Sequence, residues 1–192
     1  FELMPRVGVE FTVAHVDGVR DPLESPHDWY VLVDISSTRS EDDARTTLET
    51  ILTEAFENDI IQDAAIAESV AQAQMFWKMR EEMSWAQKPE GGSIKHDISV
   101  PVAKIPEFIH EANAATLEMI PGSRIVCFGH IGDGNLHYNV SQPVGADKQA
   151  FLDRWHDLNH RIHTIVASYT GSISAEHGIG VLKREELAFF KQ

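Results

Sequence analysis

The sequence predicts an α+β fold, with an antiparallel or mixed sheet covered by helices. Three observations carry that expectation. Short runs rich in β-branched and aromatic residues stand at 29–35, 93–100 and 125–140. Apolar residues at helical spacing mark longer runs at 41–58, 69–87, 105–120 and 147–169. The two kinds interleave roughly as β-α-β-α-β-α-β-β-α-β-α, with one place where strand follows strand directly. The similar strand-helix-strand order of the two halves is compatible with two similar ferredoxin-like subdomains.

Each element has its own reason. Residues 1–15 read as weakly helical, and 18–27, with Pro22 and Pro26, as a loop. Residues 29–35 (WYVLVDI) form a strand, and 41–58 an amphipathic helix. A short strand is expected at 64–67. Ser69 is placed to N-cap the helix of 69–87, which Pro89-Glu90-Gly91-Gly92 ends. A strand over 93–100 and a helix over 105–120 follow, then a hairpin, then a long helix over 147–169. The small residues of 171–175 suit a closely packed strand, and Gly178 and Gly180 a sharp turn into a helix near Val181.

Composition narrows the function. The chain has 192 residues, 43% hydrophobic and 24% charged, as in globular domains. Its net charge of −14 argues against nucleic-acid or anionic-membrane partners, which demand a basic surface. The lone Cys127 cannot form an internal disulfide and fits a reducing, cytoplasmic setting. No apolar run reaches the length of a membrane span, and no signal peptide is visible. The chain opens on Phe1 without an initiator methionine and stops inside an apparent helix, so it reads as a piece of a longer protein.

The chemistry concentrates in the hairpin and just after it. Asp133-Gly134 predicts a two-residue type I′ turn, because both central positions of that turn need φ > 0. Ile125, Cys127, Leu136, Tyr138 and Val140 then share the core face. On the other face His130 falls directly opposite His137, at a Cβ separation of about 4.5–5.5 Å, with Asn139 beside it. Glu176-His177 lies at the end of the next short strand. Two imidazoles and a carboxylate make a divalent metal site with open positions. The competing reading is a hairpin with solvated histidines.

Two other constellations stand out. Trp77, Arg80 and Ser84 share a helix face, and Lys95 lies on the polar side of the following strand. Together they could bind a carboxylate, or be ordinary surface cations. His156, His160 and His163 also share a helix face, which reads as a polar surface rather than a second metal site.

The runs GHIGDGNLHYNV and SISAEHGIG, with FELMPRVG and KPEGGSIKHDISVP, resemble the C-terminal domain of FAD-linked oxidases of the vanillyl-alcohol oxidase superfamily. The likeness is strongest to the D-2-hydroxyglutarate and D-lactate dehydrogenases and the glycolate oxidase flavin subunits. It implies that residues 1–192 are one cap/substrate domain over FAD held by a separate N-terminal domain. It further implies His130, His137 and Glu176 as ligands of zinc or manganese, and His177 as general base. Arg80, Ser84, Lys95 and Asn139 would hold a small 2-hydroxy-acid substrate. The family residue at the Ser84 position is often threonine. A cleft normally closed by the flavin domain would be open in this piece, so a homodimer is an expectation; the residues assign no electron acceptor. A stand-alone metallohydrolase and a non-catalytic ligand-binding module are the rival readings.

Overall fold

The chain begins with a strand, β1 (Glu2–Pro5), which turns at once into α1 (Arg6–His15). The structure, a computed structural model, describes residues 1–180. The remaining elements are β2 (Trp29–Leu32), α2 (Glu41–Glu57), α3 (Val70–Glu81), α4 (Met83–Ala86), β3 (Ser93–Ser99), α5 (Ile105–Met119), β4 (Arg124–His130), β5 (Asn135–Ser141), α6 (Lys148–Leu152) and α7 (Trp155–Ser168). The strands form one antiparallel five-stranded sheet in the order β2-β1-β4-β5-β3, so the fold class is α+β as expected.

A hydrophobic core lies on each face of this sheet. Ile94, Ile98, Cys127, Leu136, Tyr138 and Val140 pack on one side against Phe108 and Ala112 of α5 and Leu158, Ile162 and Val166 of α7. Met4, Val126 and Phe128 pack on the other side against Val9 and Phe11 of α1, Met79 of α3 and Met83 of α4. Alternation along β4 therefore sends apolar side chains into both cores. That explains why RIVCFGH is a continuous apolar run rather than a half-polar one.

The second half of the chain is a ferredoxin-like unit. It runs β3-α5-β4-β5-α7, and Ser172 then returns to bridge Ser99 on the free side of β3. The first half does not repeat it among the described residues. It contributes two strands to the same sheet, and β1 pairs with β4.

Several element boundaries differ from expectation for physical reasons. The helix expected over 1–15 starts only at Arg6, because residues 2–5 pair with β2 and β4 instead. β2 ends at Leu32, and residues 64–67 form no strand. Ser69 caps α3 by accepting from the backbone N of Gln72, as expected, but the helix breaks at Glu82 into α3 and α4. The run 147–169 is likewise two helices, parted at Asp153 and Arg154. Residues 171–175 supply only the bridge at Ser172. The helix expected near Val181 lies outside the described residues. α2 forms where predicted, with Ser40 as its cap, yet buries no residue, and Ile51 and Phe56 remain exposed. Among the described residues no helix is long and apolar enough to cross a membrane.

Candidate metal and carboxylate site

The hairpin is wider than the two-residue turn predicted. Phe128, not His130, stands opposite His137, and Cys127 opposite Tyr138. Residues 131–134 connect the strands, through bonds from Asp133 N to His130 O (3.3 Å) and Gly134 N to Ile131 O (3.4 Å). Only Gly134 takes positive φ, at 84°; Asp133 does not, and its carboxylate instead accepts from Asn135 N at 3.1 Å. A β-carbon on Gly134 would sit 2.1 Å from the Val100 carbonyl oxygen, so close backbone approach explains the glycine. The register is shifted by two residues from expectation. A shift of two leaves every side chain on its expected face. His130 and His137 thus share a face after all, but the residue across from His130 is Glu2 of β1.

The two histidines converge on one carboxylate. His130 Nε2 lies 3.3 Å from Glu176 Oε1, and His137 Nε2 lies 3.6 Å from Glu176 Oε2. Asn135 donates to Glu176 Oε1 at 2.5 Å. The loop carrying Glu176 is held by Asp97, the cross-strand neighbour of His137. Its carboxylate accepts from the backbone N–H groups of Ala175 (3.3 Å), Glu176 (3.0 Å) and His177 (2.9 Å). The His177 ring lies 6.0 Å from the His137 ring.

Asp97, His137, Glu176 and His177 offer ligand atoms that all lie within 4.8 Å of one another. Imidazoles beside carboxylates are a donor set suited to zinc or manganese. Burial pushes the His137 imidazole below its ordinary pKa, against the opposing pull of Glu176. A neutral imidazole is the form that ligates a cation. A cleft of about 580 Å³, lined by Ser174, Ala175, Glu176 and Gly178, opens beside the loop.

The predicted carboxylate-binding residues occupy the same sheet face. Arg80, near the end of α3, is buried; its Nε donates to Glu2 Oε2 at 2.7 Å, and its guanidinium lies 4.9 Å over the Phe128 ring. Lys95 donates to Ser84 Oγ at 2.8 Å and to the Ser84 carbonyl at 3.1 Å. Desolvation, with Lys88 nearby, lowers the Lys95 pKa. Buried Asn139 pairs with Lys95 across the strands. Trp77, also on this helix, donates to Asp34 at 3.2 Å.

The polar helix face predicted for His156, His160 and His163 needs one correction. His156 and His160 are exposed, but His163 is buried edge-on against His96, with ring centroids 5.7 Å apart. The face that bears His163 also carries Asn159, Ile162 and Val166 into the core.

Three site residues escaped the sequence reading. Asp97 carried a signal, because it alternates with Lys95 on the polar side of β3. Asn135 lies inside the hairpin motif, where its type alone gives no signal beyond the turn. Glu2 carried none, since it lay in a segment read as helix.

Comparison with known proteins adds a second line of observation. The profile of the family described as "FAD linked oxidases, C-terminal domain" matches residues 1–192. D-2-hydroxyglutarate dehydrogenase of Stutzerimonas stutzeri is 38% identical over 175 residues, covering 88% of this chain and 36% of that protein. The mitochondrial D-2-hydroxyglutarate dehydrogenase of Arabidopsis thaliana is 31% identical over 191 residues, covering 100% of this chain and 33% of its own length. The mitochondrial protein of that name from Rattus norvegicus is 30% identical over 192 residues, covering 100% of this chain and 34% of its own length. The chain therefore spans about a third of the length of these curated relatives.

Proposed function

This chain belongs to the family of FAD-linked oxidase C-terminal domains, and from that premise we propose that it is the substrate- and metal-binding cap of an FAD-dependent dehydrogenase. The reaction is oxidation of a D-2-hydroxy acid to the 2-keto acid. The observation that carries this is the convergence of His130 and His137 on Glu176, with the His177 ring beside His137 and Arg80 linked to His130 through Glu2. D-2-hydroxyglutarate is the favoured substrate, because the relatives above bear its name.

When bound, a zinc or manganese ion on His130, His137 and Glu176 supplies Lewis acidity toward the substrate oxygens, and FAD held mainly by a separate domain supplies the two-electron acceptor. The remaining work falls to this chain's own side chains. His177 takes the proton of the C2 hydroxyl as general base. Its position follows from the Asp97 carboxylate that grips its backbone N–H. Arg80 offers its terminal nitrogens to one substrate carboxylate, since Nε is engaged by Glu2. Lys95, Ser84 and Asn139 would supply polar contacts to a second carboxylate farther along the same face.

The hydrolase and binding-module readings need no flavin partner, and the family match over the whole chain favours the dehydrogenase. We place the protein in the cytoplasm and retain a homodimer as part of the proposal; cell fractionation and sedimentation test those two points.

The test is turnover of D-2-hydroxyglutarate and D-lactate by the full-length protein with a dye acceptor, alongside metal analysis. The expected result is flavin-dependent oxidation that falls when the ion is stripped and returns on adding zinc or manganese. Full activity without the ion, or no turnover of either acid, overturns the proposal.

A further inference from the structure

Building on that proposed metal and substrate site, we propose that Glu2 is a positioning residue that orients Arg80 and His130 together. Glu2, in β1, is only 5% exposed. One of its carboxylate oxygens accepts from Arg80 Nε at 2.7 Å. The other lies 2.5 Å from His130 Nδ1. A buried carboxylate is costly unless it is paired and hydrogen-bonded, and these two contacts meet that need.

The geometry gives the pairing a direction. A carboxylate accepts and does not donate, so the His130 proton belongs on Nδ1. The lone pair is then on Nε2, the nitrogen that faces Glu176 at 3.3 Å. A carboxylate behind a ligand histidine fixes its tautomer and ring angle. On its other side the same carboxylate holds the Arg80 guanidinium against the Phe128 ring, 4.9 Å away. Glu2 engages Nε, which leaves the terminal nitrogens for a substrate carboxylate.

The sheet sets the distances. Glu2 is in register with His130 on one side and Leu32 on the other, so β1 sits between two strands at this point. Its side chain spans from the strand that bears His130 to the helix that bears Arg80. Metal affinity and preference for a dicarboxylic substrate are thereby tied to one residue.

The experiment compares Glu2→Gln and Glu2→Asp with wild type in the full-length holoenzyme. Glutamine keeps the shape but loses the negative charge that both donors share, so the hold on both Arg80 and His130 weakens. Zinc or manganese affinity, read by competition with a chromophoric chelator, should fall about 10–100-fold. KM for D-2-hydroxyglutarate should rise more than KM for D-lactate. Aspartate keeps the charge but loses the reach, so metal affinity and the KM ratio should stay altered in it as well. A lowered Tm with wild-type metal affinity and an unchanged KM ratio marks a merely structural ion pair and overturns the inference. Movement of one readout alone overturns the bridging role. Wild-type protein that holds no ion overturns the metal site itself and this inference with it. Wild type and both variants holding the ion equally overturn only the role of Glu2.

Discussion

Gly134 and Glu90 show how single residues set limits that a local reading underrates. A methyl on Gly134 meets a backbone oxygen, which cannot swing away, and the position also requires φ of 84°. Gly134→Ala should therefore destabilise by at least about 1–3 kcal/mol, the cost of a strained left-handed residue, before the clash is counted. Chemical denaturation of the variant checks this. Glu90 sits between His15, 2.6 Å away, and Arg124, and these partners hold its carboxyl below the ordinary value of 4.5, the His15 hydrogen bond contributing most. The folded state prefers the ionised form, so the unfolded chain takes up the proton first as pH falls. The stabilisation is complete above about pH 4.5 and is lost as pH drops through the lower folded value. Glu90→Gln should be less stable than wild type at pH 7, and the gap should close in acid. A gap that stays constant from pH 7 to pH 3 would refute this account.

At the scale of elements, the site depends on a strand holding a loop. Asp97 in β3 gathers three consecutive backbone N–H groups of residues 175–177. Bonds to a charged acceptor contribute about 1.5–3 kcal/mol each. Asp97→Ala should free those amides to exchange hydrogen faster while the amides of β4 and β5 stay protected. On the proposed function it should also weaken metal binding, since Glu176 would lose its anchor. Uniform loss of protection across the sheet would mean a global role instead. The helix caps behave more simply. Ser69 caps α3, the helix that carries Arg80, by accepting from Gln72 N at 3.2 Å. Ser69→Ala should cost about 1 kcal/mol, measurable as a shift in denaturation midpoint.

For the whole molecule, the sheet is buried on both faces through its centre and open at β2. α2 lies outside either core and leaves Ile51 and Phe56 in solvent. The two cores give the chain apolar packing of its own, whereas the proposed redox chemistry needs a flavin held elsewhere. The purified chain alone should be folded and colourless, without oxidation of hydroxy acids, and should stay so after added FAD. A flavin absorbance band that survives gel filtration would overturn that expectation. Added zinc should raise its Tm at pH 7.5 and raise it less at pH 5.5, because the histidine ligands must be deprotonated to bind.

The sequence alone determined the fold class, most helices and the core face of the hairpin. These follow from periodicity and local chemistry, which act over a few residues. The face on which His130 and His137 lie was legible for the same reason. Side-chain period in a strand is two, so alternation fixes the face. It cannot detect a shift by two, and that is the error the hairpin contained. Tertiary structure decided the rest. Residues 2–5 are a strand because β4 and β2 flank them, and no local pattern in FELMP announces that pairing. Glu2 reaches His130 only through that long-range register. Asp97 was visible as a polar position on β3, but its grip on residues 175–177 depends on a chain reversal through α5, the hairpin and α7. His163 appeared polar by type and turned inward because its helix face meets His96 in the core. Contacts between segments distant in sequence leave no periodic trace, so only the assembled sheet could reveal them.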